Sequence, residues 1–339
     1  MNPFASSINP ILFIAEIGGN HEGDFAYAGR LTALALESGA DIVKFQIYTG
    51  DTLASVVERP DLNRHFKRFE LSPAQYIALA QQCVAGGAKF MASVWNAGAL
   101  EWIDRHIPIH KVGSGDLTCT PLIRRLAASG KPLILSTGLA SLDEIEAAIR
   151  FVESLDPGYI AQRKLALLQC TSSYPCRDED IHLLAMETLK SRFGLPVGFS
   201  DHSIGTLAIE AAVAMGAVII EKHFTDTREG KEFRDHKVSI TRDELRELMP
   251  RLRRIATLRG QPEKHLTVAE SDAAHQISFR RSVYAARDIA AGESFSPDNL
   301  TVLRPAVGLP ANRFDEALGK VARRAFKAHE VISENDLGP

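Results

Sequence analysis

Through the first two thirds of the chain, short runs of Val, Ile, Leu and Phe alternate with amphipathic stretches, and the alternation occurs eight times. The runs are Ile11–Gly18, Asp41–Tyr48, Lys89–Trp95, Ile109–Gly115, Pro132–Gly138, Leu165–Tyr174, Val197–Ser203 and Ala217–Phe224. Near-continuous apolar runs of this length suit parallel strands buried on both faces. Between them, Phe25–Ser38, Ser72–Ala85, Ser141–Leu155 and Gly205–Met215 carry helical periodicity, and Ser72/Gln75, Ser141/Glu144 and Thr241/Glu244 have capping-box spacing. Eight such units ending near Gly260 predict a closed (β/α)8 TIM barrel over residues 1–260. An open doubly wound sheet would show fewer strands and a glycine-rich first turn, and no GxGxxG follows the first run.

Beyond Gly260 the pattern changes. A polar connection over 261–277 leads into short segments punctuated by Gly, Pro, Asn and Asp, which predict a separate small mixed domain over 278–339. About 60 residues is near the lower limit for independent folding, so this module is expected to dock on something. The whole chain has 339 residues, 45% hydrophobic and 24% charged, with a formal net charge of −3 and basic and acidic residues interspersed. That balance offers no electrostatic footprint for nucleic acid. No apolar run approaches the ~20 residues that cross a bilayer, and Met1–Pro10 lacks the features of a secretory signal, so a cytoplasmic protein with no membrane partner is expected. Cys83, Cys119, Cys170 and Cys176 match neither a disulfide framework nor a paired zinc motif and read as buried free thiols.

Catalytic groups of a barrel sit at the carboxyl ends of its strands, and polar side chains interrupt almost every run there. Residues two apart share a face of a strand. Lys44 and Gln46 therefore point together, as do Ser200 and His202, and Glu221 and His223. Asp201 and Lys222 face the other way, toward the helices, where a structural ion pair is the default. Lys111 rises from the fourth strand, with Ser93, Ser114 and Ser136 at neighbouring strand ends, and Glu16 closes the first. Two imidazoles on successive strands can share one ion, and neutral imidazole suits Mn, Fe, Co or Zn; the alternative is a pair of hydrogen-bonded core histidines. The remaining nine histidines, including His21, His65 and His236, read mostly as surface or capping residues. Two buried ammonium groups need anionic company. A phosphorylated carboxylic acid would supply it, as would salt bridges to Glu16 or Glu221, and a Schiff-base lysine is a third reading. Glu16 itself suits a general acid, a general base or a neutralising partner.

Seven ordered segments resemble the N-acetylneuraminate (sialic acid) synthase family: AEIGGNHEGD (15–24), GADIVKFQIY (39–48), HKVGSGDL (110–117), KPLILSTGL (131–139), LLQCTSSYP (167–175), GFSDHSIG (198–205) and EKHFTD (221–226). The tail, from FRRSVYAARDIAAGESFSPDNL (279–300) through LRPAVGL (303–309) to LGKVARRAFKAHEVI (318–332), resembles the antifreeze-like (SAF) β-clip domain of the same enzymes. The resemblance implies condensation of phosphoenolpyruvate with an N-acetylmannosamine-like amino sugar and water, giving a nine-carbon 2-keto acid and phosphate without a Schiff base. Relatives that make legionaminic or pseudaminic acid leave the sugar open. By motif, Lys44, Gln46, Ser93, Lys111, Ser114, Ser136, Ser172 and Ser200 would hold phosphoenolpyruvate, and Tyr174, Glu221, Asp235 and Arg304 would face the sugar. Glu16, Lys44, Lys111, Tyr174 and Glu221 would be the catalytic set. His202 and His223 would hold a divalent metal ion, usually manganese, with Mg, Co or Fe as alternatives. The family also implies a homodimer with swapped C-terminal domains, in which Arg304 serves the neighbouring subunit. The chain departs from the family around Asp235, where GKEFRDHKVS replaces a Gly-Pro-Asp-type turn, and in MASVWN (91–96), which borders the substrate entrance.

Overall fold

The structure is a computed structural model that describes residues 3, 4 and 11–339. The expectation that Met1–Pro10 carries no secretory signal thus falls almost wholly outside the described residues. Two compact units are present, residues 1–260 and 261–339.

In the first unit eight parallel strands close into a barrel in sequence order: β1 Leu12–Gly18, β2 Ile42–Ile47, β3 Lys89–Val94, β4 His110–Val112, β5 Leu133–Ser136, β6 Leu165–Cys170, β7 Val197–Asp201 and β8 Ile219–His223. The closed-barrel expectation is borne out. Strand alternation sorts the side chains into two cores. Phe13, Ala15 and Ile17 of β1, with Val43, Phe45 and Ile47 of β2, pack outward against helices such as Phe25–Glu37 and Pro73–Ala85. Leu12, Ile14, Ile42, Met91, Ile134 and Leu168 point inward, with Phe4, and fill the amino-terminal half of the barrel. Gly198 belongs to this inner packing. A Cβ there would lie 2.3 Å from the Ile219 carbonyl oxygen and 2.7 Å from Leu168 Cδ2.

The expected helix starts are present. Ser72 Oγ accepts from Gln75 N at 3.4 Å while Gln75 Oε1 accepts from Ser72 N at 2.8 Å, and Ser141 with Glu144 repeats the arrangement. Several strands are shorter than their apolar runs. β6 stops at Cys170, so Ser172 and Tyr174 lie on the loop that follows, and Ser114 opens a 3-10 turn over Ser114–Asp116. Strand geometry ends where side chains and loop backbone take over from ladder hydrogen bonds; Thr171 Oγ, for instance, donates to Asp180 O at 2.8 Å.

The second unit contains an antiparallel pair, β9 Ser282–Ala285 and β10 Leu300–Leu303, with further bridges such as Tyr284–Val331 and Ile289–Phe326. Val283, Ala285, Ile289, Phe295, Leu300, Leu309 and Phe326 make its own small core. Among the described residues no helix is long and apolar enough to cross a membrane. Cys119 is exposed, contrary to the expectation for all four thiols, because it caps the helix Thr120–Ala127 on the surface; the other three are buried.

Candidate active site

Moving up the barrel interior, the inward side chains change from aliphatic to ionic within one layer. Above Ile14, Ile42, Met91 and Ile109 come Glu16, Lys44, Ser93 and Lys111; above Ile134, Gly198 and Ile219 come Ser136, Ser200 and Glu221. Register assembles these residues: Glu16 pairs with Lys44 and His223, Gln46 with Ser93, Ser93 with Lys111, and Ser200 with Glu221. They line one cavity of ≈ 960 Å³ at the carboxyl ends of the strands.

Its floor is an ionic network. Lys44 Nζ lies 2.8 Å from Glu16 Oε2 and 3.6 Å from Glu221 Oε2, and Lys111 Nζ lies 3.6 Å from Glu221 Oε1. Gln46 donates to Glu16 at 2.9 Å, Ser200 to Glu221 at 3.0 Å, and Lys111 to Ser136 Oγ at 2.7 Å. Burial works to lower both ammonium groups, but Glu16 and Glu221 reverse this for Lys44, whose pKa is raised. Lys111 has only Glu221 close by and Lys44's like charge nearby, so burial prevails and its pKa is lowered. Burial works against the Glu221 carboxylate, yet Lys111 and Lys44 hold it below the usual range.

Two glycines open space above this floor. A Cβ at Gly18, whose φ is +55°, would lie 3.1 Å from Glu16 Oε1, 3.2 Å from Gln46 Nε2 and 3.4 Å from His223 Cε1. At Gly138 it would meet Ser172 Oγ at 2.6 Å and Ser114 Oγ at 2.8 Å, and Gly138 N already donates to Ser114 Oγ. Two hydroxyls and a bare backbone there suit an oxyanion.

The histidine pair stands at the carboxyl ends of β7 and β8. His202 and His223 have ring centroids 5.5 Å apart, and Tyr174 packs against both, at 4.1 and 5.8 Å. His202 Nδ1 lies 2.9 Å from Thr171 O. A carbonyl only accepts, so Nδ1 carries the proton and a neutral His202 presents its lone pair at Nε2. His223 Nδ1 is buried without a hydrogen-bond partner and lies 4.0 Å from Asp235 Oδ2. These imidazoles fit a divalent ion better than a satisfied core pair, although no cluster of three or more His, Cys, Asp or Glu converges as a complete ligand set among the described residues. Asp235 is held by Arg234 at 3.3 Å, and the Arg234 guanidinium stacks on Tyr174 at 4.8 Å.

The structure thus brings together Glu16, Lys44, Gln46, Ser93, Lys111, Ser114, Ser136, Ser172, Tyr174, Ser200, His202, Glu221, His223 and Asp235. Arg304 belongs to the second unit, where it is exposed, stands over the Phe279 ring at 5.4 Å and makes no ion pair among the described residues. Asp201 and Lys222 form the outward ion pair at 2.6 Å. His21, His110 and His236 are buried rather than at the surface: His21 Nδ1 accepts from Gly23 N, His236 meets Thr225 and Glu22, and His110, on β4, lies 3.0 Å from Asp104. Sequence reading missed Trp95 and Asp116 as cavity residues. The signal was available, since each stands two residues beyond a residue already chosen, Ser93 and Ser114.

Comparison with known proteins gives the family. The NeuB family matches residues 31–264, and the SAF domain matches residues 280–338. The chain belongs to the NeuB family. An N,N'-diacetyllegionaminic acid synthase of Campylobacter jejuni is 34% identical over 95% of this chain and 99% of its own length. The human N-acetylneuraminate-9-phosphate synthase is 32% identical, over 96% and 92%. Among solved structures, the N-acetylneuraminic acid synthetase of Leptospira borgpetersenii, in complex with citrate, aligns with a TM-score of 0.72 at 32% identity, covering 78% of this chain and 90% of that one. Membership bears out the expected class, a carbon–carbon bond-forming acid synthase, and sets aside the Schiff-base alternative.

Proposed function

We propose that the chain is a cytoplasmic nonulosonate synthase that condenses phosphoenolpyruvate with an N-acetylmannosamine-like amino sugar and water. The observation that carries this reading is the pair of buried lysines that lines one cavity together with five serines and two imidazoles. Lys44 and Lys111 bind the phosphate and carboxylate by charge, with Ser93, Ser114, Ser136, Ser172 and Ser200 as hydrogen-bond partners and Gln46 fixing the orientation of Glu16. Carbon 3 of phosphoenolpyruvate forms a bond to the open-chain aldehyde carbon. Water then adds at carbon 2, and that carbon's bond to the phosphate oxygen breaks, leaving the 2-keto acid and inorganic phosphate. Protons must leave the water and reach the former aldehyde oxygen, and Glu16 and Glu221 stand on the floor to move them, with Tyr174 and Asp235 orienting the sugar. His202 and His223 would hold a divalent metal ion, manganese in preference to Mg, Co or Fe, which supplies Lewis-acid polarisation of the aldehyde when bound.

The working form is a homodimer in which the small domain of each protomer brings Arg304 to the other's cavity; its lack of an ion pair among the described residues supports that role. Phosphate release from phosphoenolpyruvate with a panel of amino sugars, and the mass of the keto acid formed, test the reaction. Turnover should vanish on chelation and return with Mn, and His202→Ala or His223→Ala should lower it by orders of magnitude with the fold retained. Full turnover after rigorous chelation rules out the metal assignment.

A further inference from the structure

Asp235, placed toward the sugar in the reading above, does not stand on a strand. It lies on a 3-10 turn over Arg234–Val238, beyond the end of β8, so something other than ladder hydrogen bonds must hold its carboxylate 4.0 Å from His223 Nδ1. The loop after β1 supplies that hold. Asn20 is fully buried, and its backbone N–H donates to Ile17 O at 2.9 Å, which fastens it to the end of β1. Its side-chain amide gives one proton to the carbonyl of Phe224, the residue after His223, and the other to Ser239 Oγ, each at 2.9 Å. Ser239 Oγ in turn donates to the backbone carbonyl of Asp235 at 2.7 Å.

Direction makes this a chain rather than a set of contacts. A carbonyl only accepts, so the side of the amide that meets Phe224 O is its NH2 group. Ser239 has one hydroxyl proton, which Asp235 O takes, so Ser239 can only accept from Asn20. Both amide protons are thereby committed, and Asn20 Oδ1 is left buried with no hydrogen-bond partner among the described residues. A buried acceptor without a partner is a cost, and here it accompanies the one side chain that ties the end of β8 to the turn bearing Asp235. Neighbouring contacts press the same turn onto the same loop. His236 meets Thr225 Oγ at 2.7 Å and Glu22 Oε1 at 3.1 Å, and a Cβ on Gly19 would come within 3.1 Å of the Phe233 ring. Neither Asn20 nor Ser239 lines the cavity, so any effect of theirs on a substrate must pass through the groups they hold.

We propose that Asn20 and Ser239 are positioning residues that set the place of Asp235 and, through it, the binding of the amino sugar. This inference rests on the sugar-facing role given to Asp235 in the synthase reading above. The test measures kcat and the KM of each substrate for wild type, Ser239→Ala, Ser239→Thr and Asn20→Asp, using the amino sugar that turns over fastest in the phosphate-release panel. Ser239→Ala removes the hydroxyl that joins Asn20 to Asp235, and it should raise the sugar KM about tenfold while the KM for phosphoenolpyruvate moves by less than about twofold. Ser239→Thr puts the hydroxyl back and should return the sugar KM to within about threefold of wild type. Asn20→Asp keeps the shape but replaces both donors with acceptors, and it should raise the sugar KM at least as far as Ser239→Ala. Urea midpoints of each protein separate this from a scaffold role, which would lower the midpoint and the active fraction and leave both KM values alone. An unchanged sugar KM in Ser239→Ala, equal rises in both KM values, no recovery in Ser239→Thr, or loss of the folded barrel in both Ser239→Ala and Asn20→Asp overturns the positioning role and leaves the wild-type reaction standing. Absence of a keto acid from wild type with every sugar would defeat the synthase reading and this inference together.

Discussion

His21 and His110 are each about 1% exposed, and burial lowers both imidazoles from 6.5 to about 4, against the partial support of Asp24 and Asp104. The unfolded chain takes up these protons near pH 6.5, whereas the folded chain resists until about 4. Their contribution to stability is accordingly full above the unfolded value and is lost as pH falls through this window. The ceiling is roughly 3 kcal/mol for each residue. Unfolding free energy from urea titration should fall between pH 7.5 and 5, and His21→Asn should make that fall shallower. An unchanged slope in the variant would remove His21 from the account. This behaviour was not legible in the sequence, because nothing in the residues around His21 or His110 distinguishes a surface imidazole from a buried one. The Asp201–Lys222 pair was legible, since alternation alone turned both away from the cavity.

At the scale of elements, period-two patterning revealed the strands and the face of each ionic residue, and the S-x-x-E/Q spacing marked the helix starts. Strand ends were harder to read. Ser172 and Tyr174 continue an apolar run but occupy a loop, because a hydrophobic pattern reports burial and not ladder hydrogen bonds. Gly198 shows a constraint that pattern reading also passes over. It faces inward on β7, and the Ile219 carbonyl and Leu168 occupy the space of a side chain. Gly198→Ala should force β7 away from β8 and cost about 1–3 kcal/mol or more, read as a lower midpoint in urea. Turnover should fall with it, as Ser200 rides on the same strand and His202 directly follows it. A fully stable variant would show that the barrel relaxes there freely.

For the whole molecule, the two units have different duties. The barrel carries the ionic floor and the imidazole pair, while the second unit has only a small core and an exposed Arg304. The proposed swapped homodimer would give that arginine a purpose and makes a sharp test available. Glu16→Ala and Arg304→Ala chains should each be nearly inactive alone. Once their subunits exchange, a mixed dimer holds one site with both defects and one with neither, so part of the activity should return. No recovery despite demonstrated exchange would sink the shared-site proposal. The barrel was legible from eight alternating apolar runs and the family from seven ordered motifs, whereas the proposed subunit sharing would be a property of an assembly that a single chain does not display.

The floor of the cavity holds two ammonium groups and two carboxylates, and it is therefore electrically balanced before any ligand arrives. Phosphoenolpyruvate brings roughly two and a half to three negative charges near neutral pH. A balanced well that accepts such an anion calls for positive charge to come with it, as protons taken up on binding or as a metal ion. Calorimetric titration separates the two routes. In metal-free protein the observed binding heat should rise with the ionisation enthalpy of the buffer, with a slope of about one proton, and manganese should flatten that slope. A slope of zero in metal-free protein would mean that no proton enters with the anion and that its charge is matched in some other way.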